Sequence, residues 1–442
     1  MRIRLFLSVS LAAAWTCSFA QTSDVRAAVE AGYGVRNAVV RYDTRTEMMD
    51  KPALMGGEYC MYPFDESRLT PPPKGYKPVY ISHIGRHGAR FGVPDGVYET
   101  LRKVLNDAHC AGKLTDAGEE LHSRYERFYP SVAHRGGDLT LEGQKQLRRI
   151  AGVMYRNFPE VFKGRTKAEA LSTPVSRVML SMMSFVDELK GLDKDFDCSV
   201  DAGRAFLPTL DPDGRQNPYR ITTRISDEAR ASLSAMRDSL VAPKAFCSRF
   251  FNDTDYLESE YGMWSFESDL RSVVVGIQCL DGDQPDRFDD IFTLEELFGI
   301  WELRNYGGYL YMGRSPLTDN SGCLKSAAIL ENMLESADRD LASGEVRLRL
   351  RFSHDTAILP LLSYMCLDNF GAVVGDPSDV KNWWRSDKIP MASNLQLVFY
   401  RSRRTSEILV KVLYNGREAS LPIPQSHPSF YSWTAIKDWY KN

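Results

Sequence analysis

The sequence predicts an α/β core that carries a mainly helical cap. Three observations lead there. Strand-like runs and helix-periodic runs alternate in the first and last thirds of the chain. The stretch from 205 to 305 instead reads as charged, helix-patterned segments. At 442 residues the chain is too long for one simple domain, so two or three units, or one core with a large insertion, are expected.

The elements follow in order. Residues 1–20 read as a secretory signal peptide. Arg2 and Arg4 form a basic start, Leu5 to Ala14 is apolar or small, and Ser18-Phe19-Ala20 offers a small-x-small cleavage site. The apolar run is short for a membrane anchor, and bulky Trp15 argues against a lipid-modified Cys17. No later segment reads as a membrane span, so an exported protein is expected, secreted or periplasmic. A polar lead-in runs to about residue 50, and Pro71-Pro72-Pro73 marks a stiff loop. Val79 to Ile84 is a strand candidate, and Gly85 and Gly88 make the turn after it. Helices are expected from 98 to 111, 115 to 129 and 140 to 158. The last two each open on a leucine-threonine pair with a glycine three residues after the threonine. A strand near 168–173 precedes a helix from Pro174 to Leu189, with Pro174 in its first turn. Thr293 and Glu296 predict a capping box for a helix to about Tyr306. Val346 to Ser353 alternates strictly between apolar and polar residues, the period of a strand. Leu395 to Tyr400 and Ile408 to Tyr414 read as antiparallel strands, with Asn415-Gly416 as the turn after the second. The expected division is residues 21–204 and 306–442 for the core and 205–305 for the cap.

Composition excludes some functions. The formal net charge of −3 is wrong for a general nucleic-acid binder. The seven cysteines after Cys17 are scattered and contain no C-x-x-C pair, which disfavours a zinc site. Export permits disulfides, but an odd number leaves at least one thiol unpaired, and the pairing is open.

The chemistry concentrates in ISHIGRHGARFG, Ile81 to Gly92, where Arg86, His87 and Arg90 follow an apolar strand. Strand, glycine turn and helix surround the turn with backbone N–H groups, an anion site. The two guanidinium groups match phosphate oxygens. Flanking cations disfavour a protonated imidazole, so His87 stays neutral and can act as a nucleophile towards phosphorus. His354-Asp355 ends another strand. There His354 can donate to a phosphoryl oxygen and Asp355 can protonate the departing alkoxide. Arg177, with Ser181 and Phe185 on the same helical face, adds a third cation for the transition state. His83, His109, His122, His134 and His427 read as ordinary histidines, His83 sharing the strand of the cluster. Asp211-Pro212-Asp213 reads as a linker rather than a metal site. No metal or other cofactor is expected, because the arginines can carry the charge a metal would carry.

Taken together, Arg86-His87-Gly88-Ala89-Arg90, then Arg177 with Ser181 and Phe185, then His354-Asp355-Thr356 with Leu359-Pro360-Leu361 resemble the histidine phosphatase superfamily, in its acid phosphatase and phytase branch. Leu139-Thr140 with Gly143 and Gln146, and Ile389-Pro390 with Ser393-Asn394-Leu395, extend the likeness. The resemblance implies a three-layer α/β/α core of phosphoglycerate-mutase-like type with a helical insertion. It implies that His87 becomes phosphorylated, that Arg86, Arg90, Arg177 and His354 hold the phosphate, and that Asp355 is the proton donor. The chain departs from the family at Phe91-Gly92-Val93-Pro94. The closing strands resemble multiple inositol polyphosphate phosphatases, which carry His-Ala-Glu where this chain has His354-Asp355. The expectation is a metal-independent phosphomonoesterase acting on phytate or another small phosphate ester. A phosphotransferase or mutase with the same nucleophile, and a non-catalytic phosphate-ligand binding module, are the rivals. The oligomeric state is left open.

Overall fold

The apolar run that begins at Val79 becomes the middle of the central strand of a mixed sheet. In the computed structural model, which describes residues 39–65, 68–284 and 286–441, that strand is β1 (Tyr76–Arg86). The others are β2 (Thr166–Ser172), β3 (Phe196–Ala202), β4 (Val346–Ser353), β5 (Asn394–Ser402), β6 (Thr405–Tyr414), β7 (Arg417–Glu418) and β8 (Tyr431–Ser432). The order is β3-β2-β4-β1-β5-β6-β7, with β8 also on β6. The first four are mutually parallel and the remainder antiparallel. The expected signal peptide, Cys17 and most of the polar lead-in lie outside the described residues. No helix among the described residues is long and apolar enough to cross a membrane.

Helices cover both faces of the sheet. On one face, α3 (Leu141–Asn157) and α4 (Ser176–Leu192) pack Leu147, Ile150, Val178 and Phe185 against Ile81, Leu348, Leu350 and Phe352. On the other, α8 (Ala327–Ser343), α9 (Asp355–Tyr364) and α10 (Trp433–Lys441) pack Leu330, Leu334, Ile358 and Trp433 against Tyr80, Ile84, Leu397 and Phe399. This is the three-layer α/β/α arrangement.

The polar half of the alternating strand β4 is not solvated. Arg349 and Arg351 lie under α8. Arg349 bonds both oxygens of Asp340 at 2.7 and 2.9 Å, and Arg351 bonds Asn332, Ser336 and Ser82. A buried polar face of this kind must be fully paired.

Between 205 and 345 no described residue joins the sheet. The chain forms short helical pieces and then α5 (Asp227–Leu240), α6 (Met263–Gly276) and α7 (Leu294–Met312). The Thr293–Glu296 capping box is present at the start of α7. Helix α7 runs unbroken past 305 to Met312, because Tyr306, Tyr309 and Leu310 continue its buried face. The helical body also draws on the first part of the chain. Leu101, Leu105, Leu121, Tyr125 and Phe128 share one apolar cluster with Phe246, Phe266, Leu270, Phe292 and Ile300. They come from α1 (Val97–Cys110) and α2 (Asp116–Phe128).

The two leucine-threonine-x-x-glycine helix starts are the same device. Thr115 and Thr140 cap α2 and α3 by accepting from the N–H of Gly118 and Gly143, each at 3.1 Å. At each start the threonine N–H donates to a crossing backbone carbonyl, Phe250 in one case and Ala89 in the other, both at 3.0 Å. Helix α4 starts at Ser176 rather than at Pro174. Pro174 precedes the N-cap residue Val175 and sits in the turn leaving β2. Strand β3 had no sequence signal: it is an edge strand whose Asp197, Ser199 and Asp201 are not buried.

Candidate active site

Three adjacent parallel strands end side by side. Arg86 pairs with Ser353, and Ser172 with Phe352, so β1, β4 and β2 deliver His87, His354 and Thr173 to one place. The His87 N–H donates to Ser353 O at 3.1 Å, and the Thr173 N–H to Phe352 O at 3.3 Å. This is the carboxyl edge of the sheet, where α/β proteins bind ligands. Helices α9 and α4 begin there, so both N-termini favour an anion.

The loop after β1 is clamped on every side. Ser181, one turn after Arg177 on α4, accepts from the Gly88 N–H at 3.1 Å and donates to the Arg177 carbonyl at 2.8 Å. Gln146 accepts from the Ala89 N–H at 2.8 Å. A methyl group on Gly88 would lie 2.3 Å from the Gly143 carbonyl oxygen, and one on Gly143 would lie 2.2 Å from that of Ala89. Only glycine allows that approach. From the other side, Ser393 O accepts from the Arg86 N–H at 2.7 Å, and the Ala392 N–H donates to His87 O at 2.9 Å. The segments 139–146 and 389–395 are thus the jaws that hold residues 86–90.

His87 is buried, and its Nδ1 lies 2.9 Å from the Gly88 carbonyl oxygen. A carbonyl only accepts, so Nδ1 carries the proton and Nε2 keeps the lone pair. The imidazole is held well below its ordinary value, first by burial and then by Arg177, Arg86, Arg90 and His354. Desolvation is the largest single cause, ahead of any one of the flanking cations that the sequence emphasised. The ring of His354 stands edge-on to that of His87, with centroids 5.6 Å apart. Burial, then Arg177, pushes His354 down to about 3. Its Nε2 lies 3.2 Å from Thr173 Oγ1.

The three arginines converge on His87, and the buried Nε–H of each has no partner among the described residues. Arg86 is fully buried. It spends Nη1 on the carbonyls of Glu58 and Ile389, at 2.7 and 2.8 Å, and Nη2 on Asp355 Oδ2 at 2.9 Å. Arg90 lies over the Tyr59 ring, 5.0 Å from its centroid, and donates to Phe91 O. Burial and then Arg90 lower Arg177. Unsatisfied guanidinium donors in a buried pocket are costly, and an anion with several acceptor oxygens satisfies them. Burial raises Asp355, but Arg86 and Arg90 outweigh it and hold the carboxyl below its usual range. Asp355 beside Arg86 is therefore ionised.

Several residues here gave no usable signal in the sequence. Glu58, held down to about 2 by Arg304 and Arg271 against its burial, anchors the segment whose carbonyl holds Arg86. Asp211, read as part of a linker, is buried beside His354, with Oδ2 4.0 Å from Nε2. Its burial, then Asp213 and Asp355, pushes it up to about 6. Asp213 stays outside the pocket and pairs with Lys325 and Arg220. His83 is buried between Phe185 and Phe352, behind the loop, with no hydrogen-bond partner among the described residues. His134 and His427 stay outside the pocket. His109 and His122 meet on the helical body, their rings stacked with centroids 4.5 Å apart.

Fold and site together define a histidine-type phosphomonoesterase. The model of the histidine phosphatase superfamily, branch 2, matches residues 227–415. That stretch contains His354 and Asp355; the fold brings Arg86, His87, Arg90 and Arg177 to them. No curated protein sequence matches the chain. Among solved structures, the multiple inositol polyphosphate phosphatase of Bifidobacterium longum, in complex with inositol hexasulfate, is 18% identical with a TM-score of 0.70, over 88% of this chain and 97% of that one. The phytase from D. castellii is 16% identical with a TM-score of 0.63, over 88% and 84%. The Hafnia alvei phytase in complex with myo-inositol hexakis sulphate is 12% identical with a TM-score of 0.55, over 84% and 98%.

Proposed function

We propose that the protein is an exported, metal-independent phosphatase that hydrolyses inositol polyphosphates such as phytate, or other small phosphate monoesters, through a phosphohistidine at His87. The observation that carries this reading is the neutral His87, with Nδ1 tied to the Gly88 carbonyl, ringed by the buried Arg86 and Arg90 and the half-buried Arg177, whose buried Nε–H groups find no partner among the described residues.

In the proposed first step, Nε2 attacks phosphorus, the N–P bond forms and the ester P–O bond breaks. Asp355 gives its proton to the departing alkoxide. In the second, water attacks phosphorus, Asp355 takes the water proton, and the N–P bond breaks to release inorganic phosphate and neutral His87. Arg86, Arg90 and Arg177 offset charge on the equatorial oxygens, and the neutral His354 donates one ring N–H. Asp355 must be protonated for the first step. A phosphate dianion beside it raises its proton affinity, and a substrate arriving as the monoanion brings the proton itself.

The inositol phosphate reading is supported by the ligands of the B. longum and H. alvei structures, both inositol sulfates. Export is supported by the basic start, apolar run and small-x-small site within residues 1–20.

The test is phosphate release in chelator from an aryl phosphate and from phytate, for the wild type and His87→Ala. Release by the wild type alone supports the proposal. Transfer to an added acceptor without free phosphate points to a phosphotransferase, and binding without turnover to a binding module; either result overturns it.

A further inference from the structure

We propose that His109, Glu119 and His122 form a binding site for a late first-row divalent cation, zinc above all, on the helical body away from the phosphate pocket. Glu119 and His122 are three residues apart on α2 and share one face. His109 comes from the last turn of α1. One ligand atom from each of the three lies within 4.8 Å of the others. A tetrahedral zinc ion with ligands at about 2.0–2.2 Å needs them roughly 3.4 Å apart, which small side-chain rotations reach. Two imidazoles and one carboxylate are a donor set suited to zinc and its neighbours in the series.

An ordinary surface contact does not account for the whole arrangement. A hydrogen bond explains why His109 Nδ1 lies 2.5 Å from Glu119 Oε2. It does not explain why the rings of His109 and His122 lie nearly parallel, 19° apart in plane, with centroids at 4.5 Å. Nor does it explain the support behind His122. Its Nε2 lies 2.6 Å from Asn106 Oδ1, and Asn106 in turn donates to Glu126, which Arg102 grips through two 2.7 Å bonds. An Nε2–H spent on Asn106 leaves Nδ1 as the lone-pair nitrogen. A ligating histidine backed by an acceptor on its other nitrogen is the usual construction of a metal site. His109 is exposed and Glu119 and His122 are half-buried, so an ion has access from solvent.

The ion would fasten α1 to α2 near their connection. The opposite end of α1 meets the loop that follows residues 86–90, where Tyr98 Oη accepts from the Gly92 N–H at 2.7 Å. The expected consequence is stability rather than chemistry.

The experiment uses tag-free, chelator-stripped protein titrated with zinc alone by calorimetry, and with cobalt by visible absorption. One equivalent is expected, with a tetrahedral cobalt spectrum and a melting temperature that climbs with free zinc. His109→Ala, His122→Ala and Glu119→Gln are each expected to weaken binding at least about tenfold. Glu119→Gln keeps the hydrogen bond to His109 and removes only the charge, so it serves if an alanine variant fails to fold. Cys110 is exposed and adjacent to His109, and Cys110→Ser is expected to leave affinity unchanged. Phosphate release in chelator is expected to be the same in all of these variants. The proposal is overturned if the wild type takes up no zinc at about millimolar concentration, if His109→Ala/His122→Ala binds as much as the wild type, or if Cys110→Ser alone removes binding. None of these outcomes depends on whether the protein is a phosphatase.

Discussion

Arg86 Nη2 and Asp355 Oδ2 are 2.9 Å apart, and the guanidinium of that pair is fully buried while its carboxylate remains 24% exposed. The pair ties the loop after β1 to the start of α9 and keeps the Asp355 carboxyl ionised. Asp355→Asn keeps the shape and loses the proton. An alkyl phosphate, or phytate, is expected to be hydrolysed some 10²–10⁴-fold more slowly. An aryl phosphate, whose leaving group needs little help, is expected to lose far less. Single-turnover rates on both substrates give the comparison, and equal slowing would remove Asp355 from the role of acid.

The same pair gives a direction to the pH profile. The carboxyl is held below its ordinary value, so the free enzyme meets its substrate with Asp355 charged. The productive encounter then uses the substrate monoanion, and kcat/KM is expected to fall as pH rises past the second phosphate ionisation near about 6. Towards acid, His87 imposes no limit in the range of an ordinary imidazole, because its folded value is far below that. A profile from pH 4 to 8 that drops on the acid side near about 6.5, the ordinary histidine value, would contradict the assignment. Base-quenched enzyme is expected to carry an acid-labile phosphoryl group that His87→Ala lacks.

How much of this could be read from the chain differs residue by residue. Arg86, His87 and Arg90 were legible because strand, glycine turn and cationic cluster fall within a dozen consecutive residues. Arg177 and His354-Asp355 were legible as chemistry, but their convergence belongs to the order β2-β4-β1, which no local pattern encodes. The segments 139–146 and 389–395 could be matched to the family, yet their work as a clamp is done through backbone carbonyls and glycine contacts that any local reading misses. Strand β4 showed its period, but the period could not say that Arg349 and Arg351 face a helix rather than water. Thr173, Glu58 and Tyr59 act only through partners far away in sequence. Asp211 was visible only as part of a loop.

Asp211 is expected to act as a pH-sensitive neighbour of the phosphate pocket. Its carboxyl titrates at about 6, among His354 Nε2, Asp355 and Asp213, with Lys325 and Arg220 on the far side of the loop. Below that value it is neutral. Above it, a second negative charge faces an anion in the pocket, so affinity for the anion falls as pH rises. Sulfate keeps its charge across this range and isolates the effect. Its inhibition constant is expected to rise roughly tenfold between pH 5 and 7, the equivalent of one unit of pKa, and to stay flat in Asp211→Asn. The same slope in both proteins would assign the titration to another group.

The clamp on the nucleophile loop can be tested without touching any group that meets phosphate. Gly143→Ala puts a methyl group 2.2 Å from the Ala89 carbonyl oxygen, a backbone atom that can yield only by moving residues 88–90. Overpacking of that kind costs about 1–3 kcal/mol, and here it displaces His87 from its place beside Ser353 O. Gln146→Ala leaves the shape open and removes the acceptor of the buried Ala89 N–H, a loss of about 1–3 kcal/mol. Both variants are expected to melt several degrees lower. Their kinetics should separate them: Gly143→Ala is expected to lose kcat by at least about tenfold, since small misplacements of a nucleophile are expensive, whereas Gln146→Ala keeps most of it at temperatures where the fold is intact. Full kcat in Gly143→Ala would mean that the close approach of residues 88–90 to α3 serves stability alone, and that His87 is aimed by its contacts with Ser353 and Ala392.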